Sequence, residues 1–382
     1  MKKSFQLVII LFIFLIGITI FILLIKHKAR PKSSIHKKII PVVEVICAKP
    51  IDYQIIIESN GEVKPLSIGN IVSEVKGKVT YVSENLRQGS MVKKGELLIQ
   101  IDKRDYEFAL SQAISQLKQA NSTLIKTKEE AKQAKKEWEL IHKGERIPPL
   151  AAKLPQLEAA KAAFLAAKAS VSQARLNLQR TSLCAPYTGV VIKRDVDIGN
   201  VVSYGQILAQ IYPTKAVEVH IPLPMFDVAW IDIPGYTVPP SSNGSIVLIE
   251  YSMEDKKIQF TGKITRSIGQ IDKNTRMLYV IATVKSPFKK LPPLIPSTFV
   301  HVKIKGHILK HVFLLPIKAL FEGHYVLKVV NNRIKKVRVN ITRLLKDSFI
   351  VSHGIFENDQ LIISPISGDV DGMDVKVLKR IK

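Results

Sequence analysis

The hydrophobic and polar positions of this chain follow three rhythms, and the longest of them runs from Asp105 to Thr181. Leu110, Leu117, Leu124, Ala131 and Trp138 recur every seventh residue, and so do Ala113, Ala120, Thr127, Ala134 and Ile141. The steps alternate between three and four, which is the narrow seam of a coiled coil rather than the wider stripe of a helix lying on a globule. His142-Lys143-Gly144-Glu145-Arg146 interrupts the seam, and it resumes with Leu157, Ala160, Phe164, Ala167, Val171, Ala174 and Leu178. Two seams joined by a short connection predict an antiparallel helical hairpin. Equal arms place the tip near His142 and give each arm about 35 residues, or about 50 Å. The other positions are mostly Lys, Gln, Glu, Ser and Ala, so the arm is expected to be solvated and to reach outward. Pro148 and Pro149 suit the first turn of the returning helix. Pro155 lies further in and is expected to kink it.

The second rhythm is continuous. Phe5 to Ile25 is apolar apart from Gln6, Gly17 and Thr19. At helical rise it spans roughly 30 Å, the thickness of a bilayer's hydrocarbon. It is longer than the apolar region of a secretory signal, and Lys26-His27-Lys28 comes next in place of a small-residue cleavage site, which predicts an uncleaved anchor. Lys2 and Lys3 precede the span, while Lys26, Lys28, Arg30 and Lys32 lie beyond it. Taken alone, that distribution favours a cytoplasmic location for the remainder of the chain.

The third rhythm is β. Short β-branched runs such as Val42 to Ile46 and Tyr53 to Ile57 begin after a basic linker, and two similar segments flank the hairpin. In the first, Gly77-Lys78-Val79 opens, and Gly89 and Gly95-Glu96-Leu97-Leu98 come after it. In the second, Gly189-Val190-Val191 opens, and Gly199 and Gly205-Gln206-Ile207-Leu208 come after it. The glycines read as turns that need positive φ. A repeat interrupted by a hairpin predicts one small β domain split by an insertion. The expected fold class is therefore mainly β with a long α-helical coiled-coil hairpin. Its expected parts are an N-terminal membrane helix at 1–26, a linker at 27–39, first strands of a membrane-proximal domain at 40–62 and a first half-domain at 63–102. The hairpin occupies 103–181, then come a second half-domain at 182–213, a β-barrel at 214–307 and the rest of the membrane-proximal domain at 308–382.

Composition narrows the chemistry. The net charge of +25 is spread along the chain without an aromatic-interleaved basic block, which argues only weakly for nucleic acid and better for an anionic membrane surface or an acidic protein partner. Cys47 and Cys184 form no metal pair or disulfide framework and read as small core residues. His307 and His311 lie in a β context where their spacing does not converge on a metal. Asp102/Asp105 and Asp195/Asp197 read as solvated turn carboxylates. No nucleophile motif, phosphate loop or dinucleotide fingerprint is present, so no catalytic residue, cofactor or metal is expected.

The split Gly-Val repeat resembles the biotinyl/lipoyl fold. With a long hairpin inserted, it resembles the membrane fusion proteins, the HlyD-like periplasmic adaptor subunits of bacterial tripartite efflux pumps. Arg180-Thr181-Ser182-Leu183-Cys184-Ala185-Pro186-Tyr187-Thr188-Gly189 is similar to the family's entry into the second half-domain, with Cys184 where a basic or small residue is commoner. Ile271 to Leu278 resembles the barrel motif, and Leu294 to Val300 resembles a Pro-Gly-Met-Phe-Val turn with Ser297 in place of Gly. Leu315 to Leu320 and Gly372 to Val375 resemble the entry to and close of the membrane-proximal domain. The match runs from about residue 40 to 380. It is most like adaptors of the resistance-nodulation-division (RND) class. The resemblance implies no catalysis and leaves no carrier lysine, because the turn that would hold one is replaced by the hairpin. It also implies an inner-membrane RND-type transporter, an outer-membrane channel of the TolC type, a homo-oligomer and an inner-membrane anchor with the bulk of the chain in the periplasm. At the tip, the Arg, Leu and Ser signature of many adaptors is not reproduced, since Lys136 and Ile147 take the outer positions around Leu140. Leu140, Lys143, Glu145, Arg146 and Ile147 are the expected channel contacts. An adaptor for type I secretion with an ABC transporter is the alternative, and a biotin or lipoate carrier is a more distant one.

Overall fold

A computed structural model describes residues 2–27, 40–253, 256–366 and 370–381. The expected linker lies, beyond His27, outside the described residues. The chain divides into two units: Met1–Asp52 with Lys310–Lys382, and Tyr53–Leu309.

In the first unit, helix α1 (Lys2–Lys26) carries a window, Val8–Lys26, with a mean hydropathy of 3.5 and none of it buried. By length and composition it is sufficient to cross a bilayer. Strand Val42–Cys47 pairs in parallel with Lys376–Ile381 and antiparallel with Gln360–Ile362. Tyr325–Val330 and Arg333–Arg338 form a hairpin whose turn residues Asn331 and Asn332 have φ of 51° and 61°, the left-handed pair that a tight β-turn of primed type requires. Val43, Val45, Leu327, Ile334 and Ile362 fill one core, and Phe313, Leu315, Phe349, Val351 and Leu361 fill another.

The second unit holds a closed barrel. Strand Ile246–Met253 pairs with Lys256–Ile271, that strand with Met277–Lys285, and that one in turn with Ala216–Pro224. Pro50–Pro65 and then Phe299–Pro316 continue the order, and Phe299–Pro316 returns to Ile246–Met253 through Val247 opposite Ile304. Alternate residues point inward, and Ile55, Ile57, Val63, Val219, Ile221, Val247, Val280 and Val302 are all buried there. This corrects the expected boundary at 62. Val42–Cys47 pairs with the C-terminal strands, but Ile55 and Ile57 belong to the barrel core. Strand Phe299–Pro316 runs on past the barrel, and its Phe313 and Leu315 belong to a core of the first unit.

Beside the barrel in the same unit, two four-stranded sheets each mix both halves of the repeat. Strands Gly69–Val72 and Met91–Val92 join Gly189–Arg194 and Ile207–Pro213, while Gly77–Val82 and Leu97–Ile101 join Ser182–Cys184 and Val201–Val202. The halves hold each other by matched backbone bonds. Gly89 N–H donates to Val191 and Val191 N–H to Ser90; equivalently, Gly199 donates to Val79 and Val79 to Asn200. Gly95 donates to Ala185 and Ala185 to Glu96; equivalently, Gly205 donates to Ser73 and Ser73 to Gln206. The four turn glycines share φ values from 81° to 92°. Gly189 is a correction: it lacks positive φ, and it is glycine because a Cβ would lie 2.4 Å from the Tyr212 carbonyl oxygen. Cys184 is exposed and Cys47 half-buried, so neither is the core residue expected, because each sits on a short strand with one face open.

Candidate functional site

The hairpin leaves the split domain between strands Leu97–Ile101 and Ser182–Cys184, which pair antiparallel, so both arms share one base. Ile101 N–H donates to the Thr181 carbonyl at 2.8 Å, and the Gln100 amide donates to Thr181 Oγ1 at 3.1 Å. Tyr106 Oη donates to the Lys76 carbonyl at 2.7 Å, and Arg180 pairs with Glu74 at 2.6 Å. Asp102 sits just before the first arm and holds Arg104 through both carboxylate oxygens. The Arg104 guanidinium and its N–H hold the Asp102 carboxyl down at about 2, well below the ordinary carboxylate range. Asp195 pairs with Lys193, and Asp197 with Arg194, so these turn carboxylates are ion-paired at the surface rather than simply solvated.

Two helices form the arms, α2 (Arg104–Ile141) and α3 (Leu154–Gln179). Asp105 and Glu107 in the first turn of α2 suit its positive end. The seam agrees closely with the heptad reading. Ala113, Ala131, Ala160 and Val171 are buried, and Leu110, Leu117, Ala120, Leu124, Thr127, Ala134, Leu157, Phe164, Ala167, Ala174 and Leu178 are half-buried between exposed neighbours.

The arms are unequal, which corrects the symmetric reading. At about 1.5 Å per residue, α2 is about 57 Å long and α3 about 39 Å. Lys153, the cap of α3, pairs with Glu130 at 3.1 Å, so the last turns of α2 run past the start of α3. Pro148 and Pro149 do not open the returning helix. Lys153 stands at φ 54° and breaks the turn they begin, and Pro155 occupies the first turn of α3. There its missing N–H costs little, so it starts the helix instead of kinking it.

The tip is built on this overrun. Trp138 and His142 stack with centroids 3.9 Å apart at 14°. Trp138 Nε1 and His142 Nδ1 are buried without a hydrogen-bond partner among the described residues. Gly144, at φ 87°, turns the chain. Leu140 is 78% exposed, Lys143, Glu145 and Arg146 are exposed, and Ile147 is half-buried. The five expected contacts thus fall on one short segment around the tip. Sequence reasoning missed two of its residues. Ile141 was placed in the seam yet is 75% exposed, because α3 does not reach it, and Leu150 is 70% exposed. The signal lay in Pro155, the better first-turn proline.

On the barrel, the buried Glu218 carboxylate accepts from Arg266 through two parallel bonds of 2.9 and 3.0 Å. His220 Nε2 lies 3.5 Å from the same carboxylate, and burial, with Lys64 nearby, pushes its pKa down. Asp272 accepts from Asn274 N–H, Thr275 N–H and Thr275 Oγ1, which caps the turn of the Ile271 to Leu278 motif. No group of three or more His, Cys, Asp or Glu placed to hold a metal occurs among the described residues.

Residues 67–214 match the family model described as RND MFP, barrel-sandwich hybrid domain. The chain is 25% identical over 376 residues to the multidrug resistance protein MdtA of Pantoea ananatis strain AJ13355, covering 92% of this chain and 88% of that one. It is 26% identical over 330 residues to the multidrug resistance protein MdtA of Erwinia amylovora strain ATCC 49946, covering 83% of this chain and 77% of that one. In fold it is similar to the crystal structure of MacA from Actinobacillus actinomycetemcomitans, with a TM-score of 0.58 at 18% identity over 85% of this chain and 100% of that one. A MacA–MexA chimera carrying the Pseudomonas aeruginosa MexA α-hairpin domain superposes with a TM-score of 0.55 at 22% identity, over 83% of this chain and 99% of that one.

Proposed function

We propose that this chain, a membrane fusion protein of the RND class, is the periplasmic adaptor of a tripartite efflux pump. One observation carries the reading: a single domain is split at the turn where a carrier would present its lysine, and the split is filled by a long solvated hairpin. Such an arm buries too little to be a core and projects too far to be a catalytic wall, so its use is reach. The two relatives named for multidrug resistance match 92% and 83% of the chain, which supports efflux as the process served. The RND-class match favours that pump over the alternative of a type I secretion adaptor.

In this reading α1 anchors the chain in the inner membrane and the rest lies in the periplasm. The barrel and the C-terminal strands face an RND-type transporter, and the tip meets a TolC-type channel. The five tip residues make that contact, with Ile141 and Leu150 beside them. Several copies assemble with their hairpins side by side into a conduit. The protein itself catalyses nothing and needs no cofactor, metal or nucleic acid. The domain division given by the sequence, adjusted so that residues 53–65 join the barrel, is part of the same proposal. Deleting the gene in its native host should sensitise cells to pump substrates, and the intact gene should restore resistance. Alkaline phosphatase fused after Ile40 should be active. A fusion active only as a cytoplasmic reporter contradicts the topology and the function with it.

A further inference from the structure

The hairpin and barrel leave unused a cleft of about 800 Å³ in the first unit. Backbone pairing gathers three basic side chains, those of His324, Arg338 and His353, around it. Val339 N–H donates to the His324 carbonyl, which sets His324 beside Arg338. Asn340 lies opposite His353, which brings that imidazole to the same cleft. Gly354 presses on the Arg338 carbonyl so closely that a Cβ would stand 2.7 Å from it, which keeps this side of the cleft low. No carboxylate lines the cleft among the described residues. Val339, Ile341 and Leu344 supply an apolar flank, and Leu344 is 60% exposed.

We infer that this cleft binds a phosphate group carried on an amphiphilic or glycerol-like body. Arginine forks match phosphate oxygens through paired donors, and histidine adds a donor when protonated. An apolar flank beside the basic rim suits a headgroup with its glycerol attached, and a purely acidic peptide would leave Leu344 and Ile341 without a counterpart. The first strand of this unit begins at Val42, and α1 ends at Lys26. Even fully extended, the intervening residues span at most about 55 Å, so the cleft belongs to a unit tethered close to headgroups. This inference rests on α1 as a membrane anchor, part of the proposed function, and not on efflux or on the tip contact.

The test uses the full chain in nanodiscs of phosphatidylcholine alone, or of phosphatidylcholine and phosphatidylglycerol in equal parts, with hydrogen exchange as the readout. Amides of residues 338–344 and 351–354 should exchange about tenfold more slowly in the anionic discs, the effect of one or two charge-assisted bonds. Arg338→Gln, at an exposed side chain, should abolish the slowing, and Lys118→Gln on α2, which removes the same charge elsewhere, should leave it. Glycerol phosphate added at millimolar concentration to neutral discs separates the sources. If it alone reproduces the protection, the phosphate is carried by a solute; if only the anionic discs do, by a lipid. Protection by neither, equal loss in both variants, or protection by polyglutamate alone would overturn the assignment. The last result would point to an acidic protein partner.

Discussion

Gly95 and Gly205 offer a test of whether the two halves of the split domain are one cooperative body. Each has φ 81°, and nothing lies within 4 Å of the position a Cβ would take. An alanine there therefore meets no steric clash and suffers only the left-handed backbone, a cost of about 1–2 kcal/mol. Because Gly205 N–H bonds to Ser73 of the first half, and Gly95 N–H to Ala185 of the second, each turn is held by the other half. Val79, Leu98 and Ile101 also share one core with Val191, Val202 and Leu208. Gly205→Ala should thus lower the opening free energy of both halves. Hydrogen exchange on the full chain in detergent should then accelerate by roughly five- to thirtyfold in strands 77–82 and 97–101 as well as in 189–194 and 207–213. Gly205→Asn should recover part of the loss, since Asn tolerates this conformation better. Acceleration confined to 189–213 would refute the reasoning and leave two independent halves.

The geometry makes three further outcomes testable. Ser297 sits at φ 66°, so Ser297→Gly should stabilise the barrel by about 1 kcal/mol, read as a higher denaturant midpoint with unchanged slope. Leu117→Asp or Phe164→Asp puts an unpaired charge in the seam and should cost about 3 kcal/mol locally. Far-ultraviolet circular dichroism should show lost helix, and native circular dichroism in these variants would sink the heptad reading. Asp102 titrates near 2 in the folded chain against an ordinary 3.8. A lowered carboxylate value stabilises above the unfolded value and loses that contribution as pH falls, so the base of α2 should loosen between about pH 4 and pH 2. Arg104→Gln should move the carbon-13 titration of Asp102 back towards the ordinary value.

The seam was legible in sequence because burial along two long helices repeats with a period that polar residues cannot imitate. The split domain was legible because its turns demand glycine at matching places. What escaped depends on contacts remote in sequence. Whether a proline opens a helix or kinks it turns on where the helix begins, and the left-handed Lys153 marks that point. For the same reason Ile141 read as seam. The runs Val42 to Ile46 and Tyr53 to Ile57 look alike, yet one pairs with C-terminal strands and the other lines the barrel. The clamp of Tyr106 on Lys76 and of Arg180 on Glu74 leaves no local trace at all.

The central claim is that the hairpin tip, rather than the arm as a whole, meets the outer-membrane channel. A photo-crosslinking amino acid placed at residue 140 in living cells tests it, with residue 165 on the exposed side of α3 as the comparison site. Position 140 should capture one outer-membrane protein of channel size, and position 165 should not. Adding Arg146→Asp should abolish both the capture and drug resistance while helicity stays normal, because an exposed tip residue buries little within the monomer. Full resistance and undiminished capture in a normally folded Arg146→Asp chain, or equal capture from both positions, would contradict the account.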